Sequence, residues 1–242
     1  MKKIIIASLL MAICGTSAVA QKKTTIEPSG RIITKEVSVQ PFDAIKAGGL
    51  YELILSQGDK ESVKIEADDN LMDLFSVKNN GNTLEIDMPR LEDKNIDFKS
   101  KDEKKSLKLK VYVTFKNLRR LDVAVIGNVL SATGVKSGSF TLESKNIGNV
   151  ELKLTADKLT VNNKGVGNMT LSGNVKDADV KNKGVGQFDS EELLVQTMKI
   201  DNSGVGHASV NVAEELTIKE TFLGKVNNKG AAKTHKMDGV EM

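Results

Sequence analysis

Apolar and polar residues alternate with a period of two along most of the chain, in RIITKEVSV at 31–39, LYELILSQG at 50–58, SVKIEA at 62–67, NTLEIDMP at 82–89 and LKLKVYVTF at 107–115. That period places successive side chains on opposite faces of an extended strand, so each run predicts a β-strand with one buried face. Helical character is confined to a short turn opening at Asp69 and running through Leu71, Met72, Leu74 and Phe75. The stretch Asn79-Asn80-Gly81-Asn82 predicts a hairpin or corner turn.

From about residue 118 a longer period overlies the alternation: AVIGNV at 124–129, NIGNV at 146–150, NKGVGNM at 163–169, NKGVGQF at 182–188, NSGVGHA at 202–208 and FLGKV at 222–226. The shared glycines are Gly127, Gly148, Gly167, Gly186, Gly206 and Gly224, at separations of 21, 19, 19, 20 and 18 residues. A fixed period of this size marks a solenoid of stacked coils. Aligned on the glycine, the sixth position before it reads Leu121, Leu142, Val161, Val180, Ile200 and Ile218, and the position just before it reads Ile126, Ile147, Val166, Val185, Val205 and Leu223. Both columns are wholly aliphatic. Two after the glycine stand Val129, Val150, Met169, Phe188, Ala208 and Val226; eight before it stand Phe140, Leu159, Ala178, Met198 and Leu216, with Arg119 breaking the column in the first coil.

About 19 residues at roughly 3.3 Å each give a perimeter near 60 Å, room for three short strands and tight corners. Leucine-rich repeats share the period but need an L-x-x-L start and a helical or turn-rich return, whereas the return here, as in GNMTLSG and GHASVNV, is again strand-patterned. The expected fold is therefore all-β: a right-handed parallel β-helix of about 19-residue coils, each some 4.8 Å above the last. Corners in such a coil need positive φ or space for the neighbouring backbone, which accounts for the key glycines and for Gly165, Gly184 and Gly204 beside them. Four before the glycine, Ser144, Asn163, Asn182 and Asn202 predict a coil-to-coil amide ladder.

The recurring glycine alignment stops short of residues 31–117, which read as a β-rich N-terminal cap and first coils covering an open strand edge. Within them LEDKNIDFKSKDEKKS is too charged for a core and predicts a surface loop over residues 90–106. The expected organisation is a leader at 1–20, a flexible start at 21–30, the β-rich half at 31–117, repeated coils at 118–230 and a polar tail at 231–242 that frays or covers the last coil.

The leader carries Lys2 and Lys3, an apolar run from Ile4 to Ile13 too short to span a bilayer, and a small-x-small site at Ala18-Val19-Ala20. Cleavage after Ala20 is expected; lipidation at Cys14 competes, but bulky Ile13 precedes that cysteine. Cys14 is the only cysteine, so the mature chain has no disulfide, thiolate metal site or cysteine nucleophile. No transmembrane span follows. Removing the two leader lysines takes the net charge from +3 to +1, with charges spread rather than blocked, so nothing points to nucleic acid.

Catalysis on a β-helix needs carboxylates clustered on successive coils. The column after the glycine instead reads Asn128, Asn149, Asn168, Gln187, His207 and Lys225. His207 and His235 are the only histidines, and His235 lies in the tail, which argues against a histidine metal site or a Ser-His-Asp arrangement. Calcium-binding nonapeptide solenoids have half this period and an Asp after Gly. No catalytic residue, metal or cofactor is therefore expected. With no Trp and only two tyrosines, sugar stacking has little to work with. The candidate ligand-facing row is Asn128, Asn149, Asn168, Gln187 and His207, spaced about one coil apart.

The stretch FDAIKAGGLYELILSQGDKESVKIEADDNLMDLF at 42–75, followed by the IGNV and GVGN units, resembles the bacterial family described as putative auto-transporter adhesin, head GIN domain. The resemblance covers residues 31–230 and implies export to the cell envelope, a β-helical fold and adhesion, with no catalytic residues. An autotransporter carries its own C-terminal outer-membrane barrel, and none follows the last coil here. Secretion by another system, or retention in the periplasm or at the outer membrane, is then expected. The predicted role is a non-enzymatic exported solenoid that binds a glycan or a cell-surface protein through its polar face. A polysaccharide-acting enzyme and a structural envelope protein without a soluble ligand are the alternatives.

Overall fold

The computed structural model describes residues 24–89, 96–98 and 108–237; the leader with Cys14, most of the charged stretch at 90–106 and the last five residues lie outside them. The protein is a parallel β-solenoid of about six turns. Strands Val150–Asn163, Met169–Asn182, Phe188–Asn202 and Ala208–Glu220 stack in parallel, each residue of one coil over its counterpart in the next. Leu121, Leu142, Val161, Val180, Ile200 and Ile218 form one buried stack, and Phe140, Leu159, Ala178, Met198 and Leu216 another. Because every core position repeats, each coil rests on near-identical neighbours, and stability is a sum of coil-to-coil interfaces.

The uneven glycine separations have local causes. The first, 21, arises where Leu130 pairs with Glu151 but Val135 pairs with Leu154, so four residues, 131–134, face only Leu152 and Lys153 in the next coil. The separation of 20 reflects one extra residue between Ser190 and Glu192, where the pairing of Thr170 with Asp189 shifts to that of Ser172 with Glu192.

The N-terminal half is threaded out of sequence order. Ala44–Leu50 and Glu52–Gln57 form a coil that pairs with Arg120–Ile126 and Val129–Ser131 on one side. On its other side lie Thr83–Asp87 and Lys110–Phe115, which come later in the chain. The end is then closed by antiparallel strands: Ser76–Asn80 on Thr83–Asp87, Ser62–Asp68 on Lys110–Phe115, and Ile32–Val37 on Ser62–Asp68. Antiparallel pairing ends the parallel stack and removes the template for another coil. The expected turn at Asp69 is a 3₁₀ helix over Asp69–Leu74, and Gly81, at φ +57°, turns the Asn80–Asn82 hairpin. At the other end, Val226–Asn228 and Lys233–Lys236 pair with Ala208–Glu220, so part of the polar tail covers the last full coil.

Tyr51 occupies, in the coil at 44–57, the place that glycine takes above it. Its neighbour Leu50 pairs with Ile126, its ring is buried, and its hydroxyl donates to the Ile86 carbonyl at 3.1 Å. Burial pushes the phenol far above its ordinary pKa, with the Asp87 carboxylate adding to the rise. It serves as a large uncharged core group.

Candidate functional site

The repeating corner gives the solenoid its most regular surface. At each corner the chain bends at a glycine with φ between +126° and +150° in Gly127, Gly148, Gly167, Gly186 and Gly206. A side chain is excluded there on two counts: the φ disfavours L-residues, and a Cβ on Gly148, Gly167 or Gly186 would lie 2.3 Å from the carbonyl oxygen of the coil before. Gly224 keeps the register but not the positive φ, so the last corner departs from the pattern.

Inside the corner, the predicted ladder is present among its three asparagines, while Ser144 instead accepts from the Asn146 N–H of its own coil at 3.5 Å. Asn163 Nδ2 donates to Asn182 Oδ1 at 2.8 Å, Asn182 Nδ2 to Asn202 Oδ1 at 2.8 Å, and Asn202 Nδ2 to the Lys225 carbonyl at 3.0 Å. These side chains are buried, so Asn163 and Asn182 donate to their own kind one coil away and Asn202, at the end of the file, to backbone carbonyls.

Outside the corner, the candidate row Asn128, Asn149, Asn168, Gln187 and His207 lies in one file, half-buried at Asn128 and exposed from Asn149 onward. The side-chain oxygens already have work. Asn128 Oδ1 accepts from the Asn149 backbone N–H at 3.1 Å, Asn149 Oδ1 from Asn168 N–H at 3.2 Å, and Asn168 Oδ1 from Gln187 N–H at 3.1 Å. What the row can offer a partner is therefore its amide N–H groups, the Gln187 carboxamide and the His207 ring.

The aliphatic column just before the glycine does not share the fate of the column five residues earlier. Its side chains point outward: Ile126 is 52% exposed, Ile147 53%, Val166 51%, Val185 49%, Val205 49% and Leu223 57%. The column lies an odd number of positions from the buried columns eight and six before the glycine and two after it. The strand alternation, which runs unbroken through the glycine, therefore turns it outward, although its aliphatic identity is that of a core column. Beyond it lies a third exposed file, Lys145, Lys164 and Lys183.

Two open grooves lie elsewhere. One, of about 690 Å³, follows a second corner, with Ser137, Ala156 and Val175 among its lining. The other, of about 810 Å³, is lined by Lys46, Glu85, Asp87, Arg120, Asp122 and Glu143 among others. Within the second, Arg120 lies 2.9 Å from Asp122 and 3.8 Å from Glu143, and Lys78 lies 3.1 Å from Glu85. The Lys78 ammonium, helped by Asn80, holds the Glu85 carboxyl below its ordinary pKa. At the last coil, burial alone would raise the Glu220 carboxyl, but the Val226 N–H and Lys236 outweigh it and hold it low. Among the described residues every carboxylate with a shifted pKa is lowered, the reverse of a general acid poised near neutrality. No three potential metal ligands come together among the described residues, and no described helix is long and apolar enough to cross a membrane.

A stack of β-coils with a regular outward edge defines a solenoid built to present a long surface. The chain belongs to the family described as putative auto-transporter adhesin, head GIN domain, whose model matches residues 41–232. Among solved structures it is similar to a putative adhesin from Bacteroides fragilis, at 27% identity and a TM-score of 0.72, covering 88% of this chain and all of that one. A putative lipid binding protein from Parabacteroides distasonis (20% identity, TM-score 0.64) and a putative adhesin from Parabacteroides merdae (19%, 0.63) share the fold, each match covering 88% of this chain and 95% of the other. No curated protein matches the chain.

Proposed function

We propose that this protein is an exported, non-catalytic scaffold that attaches to a glycan or a protein on a cell surface through the amide row Asn128, Asn149, Asn168, Gln187 and His207. The observation that carries the reading is the row's repetition at coil spacing with N–H donors left over, which suits an extended partner with repeating acceptors. Family membership and the adhesin-named relative from Bacteroides fragilis support the same direction. Export rests on the leader-like first 20 residues, with release after Ala20 to the periplasm, the outer membrane or the exterior. The ion-paired carboxylates of the larger groove weigh against the polysaccharide-acting alternative.

The test is a binding screen against glycan arrays and whole bacterial and host cells. The variant Asn149→Asp/Asn168→Asp/Gln187→Ala keeps the two oxygens that accept backbone N–H groups while removing the amide donors. Binding by the wild type that falls at least tenfold in the variant, with the β circular dichroism unchanged, is the expected result. Absence of binding to any glycan or cell supports instead a structural envelope protein whose amides serve only their own backbone.

A further inference from the structure

We infer that the outward aliphatic file at the glycine corner, Ile126, Ile147, Val166, Val185, Val205 and Leu223, is a ridge that seats the solenoid on a lipid surface bearing anionic headgroups. Six aliphatic side chains in one line, each about half exposed, form a contiguous apolar strip, whereas exposed apolar residues on a soluble protein are ordinarily scattered. The strip runs along the stack for about 24 Å at the spacing of neighbouring strands. At its end Phe222 is 88% exposed beside Leu223, so the apolar line finishes on an aromatic ring in solvent.

Charge selects the occupant. The lysine, aliphatic and amide columns span six coils and eighteen positions, holding four lysines and no acidic residue, in a chain with 32 Asp and Glu among 242. The next columns outward regain acids, at Asp122, Glu143 and Asp201 on one flank and Glu151 and Asp189 on the other. Lys145 and Lys164 have no ion pair among the described residues, while Lys183 lies in the field of Asp201 and Lys225 pairs with Glu220 at 3.5 Å. Exposed ammonium groups beside an apolar strip, two of them without an acidic partner, match the phosphates and acyl boundary of an anionic leaflet, where buried apolar area and charge attraction add.

Shape argues the same way. The strip is one side chain wide, well short of the roughly 800 Å² per partner that a stable protein interface takes. It is a single line of exposed side chains, and the groove at its first coils, reached through Ala124 and Lys145, is lined by charged groups, which suits a yielding surface better than an apolar pocket. The amide row stands on the far side of the glycine bend, so the two files are separable by substitution.

The experiment is vesicle flotation of the chain starting at Gln21, which keeps every described element, with phosphatidylcholine vesicles with or without phosphatidylglycerol. Wild type is expected to float with the anionic vesicles and to stay behind with the neutral ones, with binding reduced at high salt. Ile147→Thr/Val166→Thr/Val185→Thr keeps β-branched side chains and hence the strands, and should reduce flotation at least tenfold. Lys145→Gln/Lys164→Gln/Lys183→Gln should reduce it severalfold. Wild type failing to float, or the threonine variant floating as well as wild type, overturns the proposal; equal flotation on neutral vesicles overturns its anionic half. A concentration-dependent dimer in sedimentation, lost in the threonine variant, would assign the ridge to a second copy instead.

Discussion

At Gly167 one missing methyl group decides whether two coils can stack. A Cβ there would stand 2.3 Å from the Gly148 carbonyl oxygen, on a backbone at φ +126°. Gly167→Ala is therefore expected to lower stability by about 2 kcal/mol or more, from strained φ and the clash together. Gly134→Ala is the control: its Cβ would make only ordinary contacts with Lys153, at 3.7 Å and beyond, and the φ is unexceptional. That change should move stability by less than about 0.5 kcal/mol. Paired denaturant melts followed by β circular dichroism measure both, and equal midpoints would refute the steric account. This corner was readable from spacing alone, since only glycine satisfies both demands and it recurs in each coil from Gly127 to Gly206. Tyr51 was not, because an aromatic residue fills the glycine's place in the one coil where the chain beneath runs on to Met88.

Between coils the element that holds the corner is the file Asn163, Asn182 and Asn202. Removing the middle member strands a buried donor above and a buried acceptor below, since Asn182 accepts from Asn163 and donates to Asn202. Asn182→Ala is thus expected to cost about 3 kcal/mol, whereas Asn162→Ala, next to Asn163 but facing outward to the half-buried Glu143, should cost less than about 1 kcal/mol. Equal losses in thermal melts would mean the ladder is incidental. The ladder, the inward aliphatic columns and the strand character were legible because they repeat with constant chemistry. The outward column of Ile126 to Leu223 was legible as a repeat but not as a surface. Aliphatic identity ordinarily signals burial, and here it masks the alternation, which runs unbroken through the glycine and places the column on the outer face. The amide row was legible as exposed; its backbone-accepting half depends on the coil-to-coil offset, which no single coil encodes.

Across the whole molecule, Ala44–Leu50 lies between strands whose paired residues come about forty and about seventy-five positions later, an order that alternation alone cannot reveal. The two ends are closed differently: antiparallel strands seal the first, while the last relies on Val226–Asn228 and Lys233–Lys236 lying in parallel on Ala208–Glu220. A parallel stack stopped at a full-length coil offers the same backbone pattern that the next coil would use, so the second closure alone prevents continued pairing. Glu220 reinforces it by accepting from the Val226 N–H at 2.9 Å and from Lys236 at 3.0 Å. A chain ending at Glu220 should keep its β spectrum, since nearest-neighbour coils lose only one interface. It should nevertheless associate with rising concentration as the edge carrying Ala208, Val210, Leu216 and Ile218 becomes free to pair. Light scattering over a concentration series reads this directly. A truncated chain that stays monomeric throughout would show that the coil's own side chains already block the edge, and that the last two strands serve another purpose.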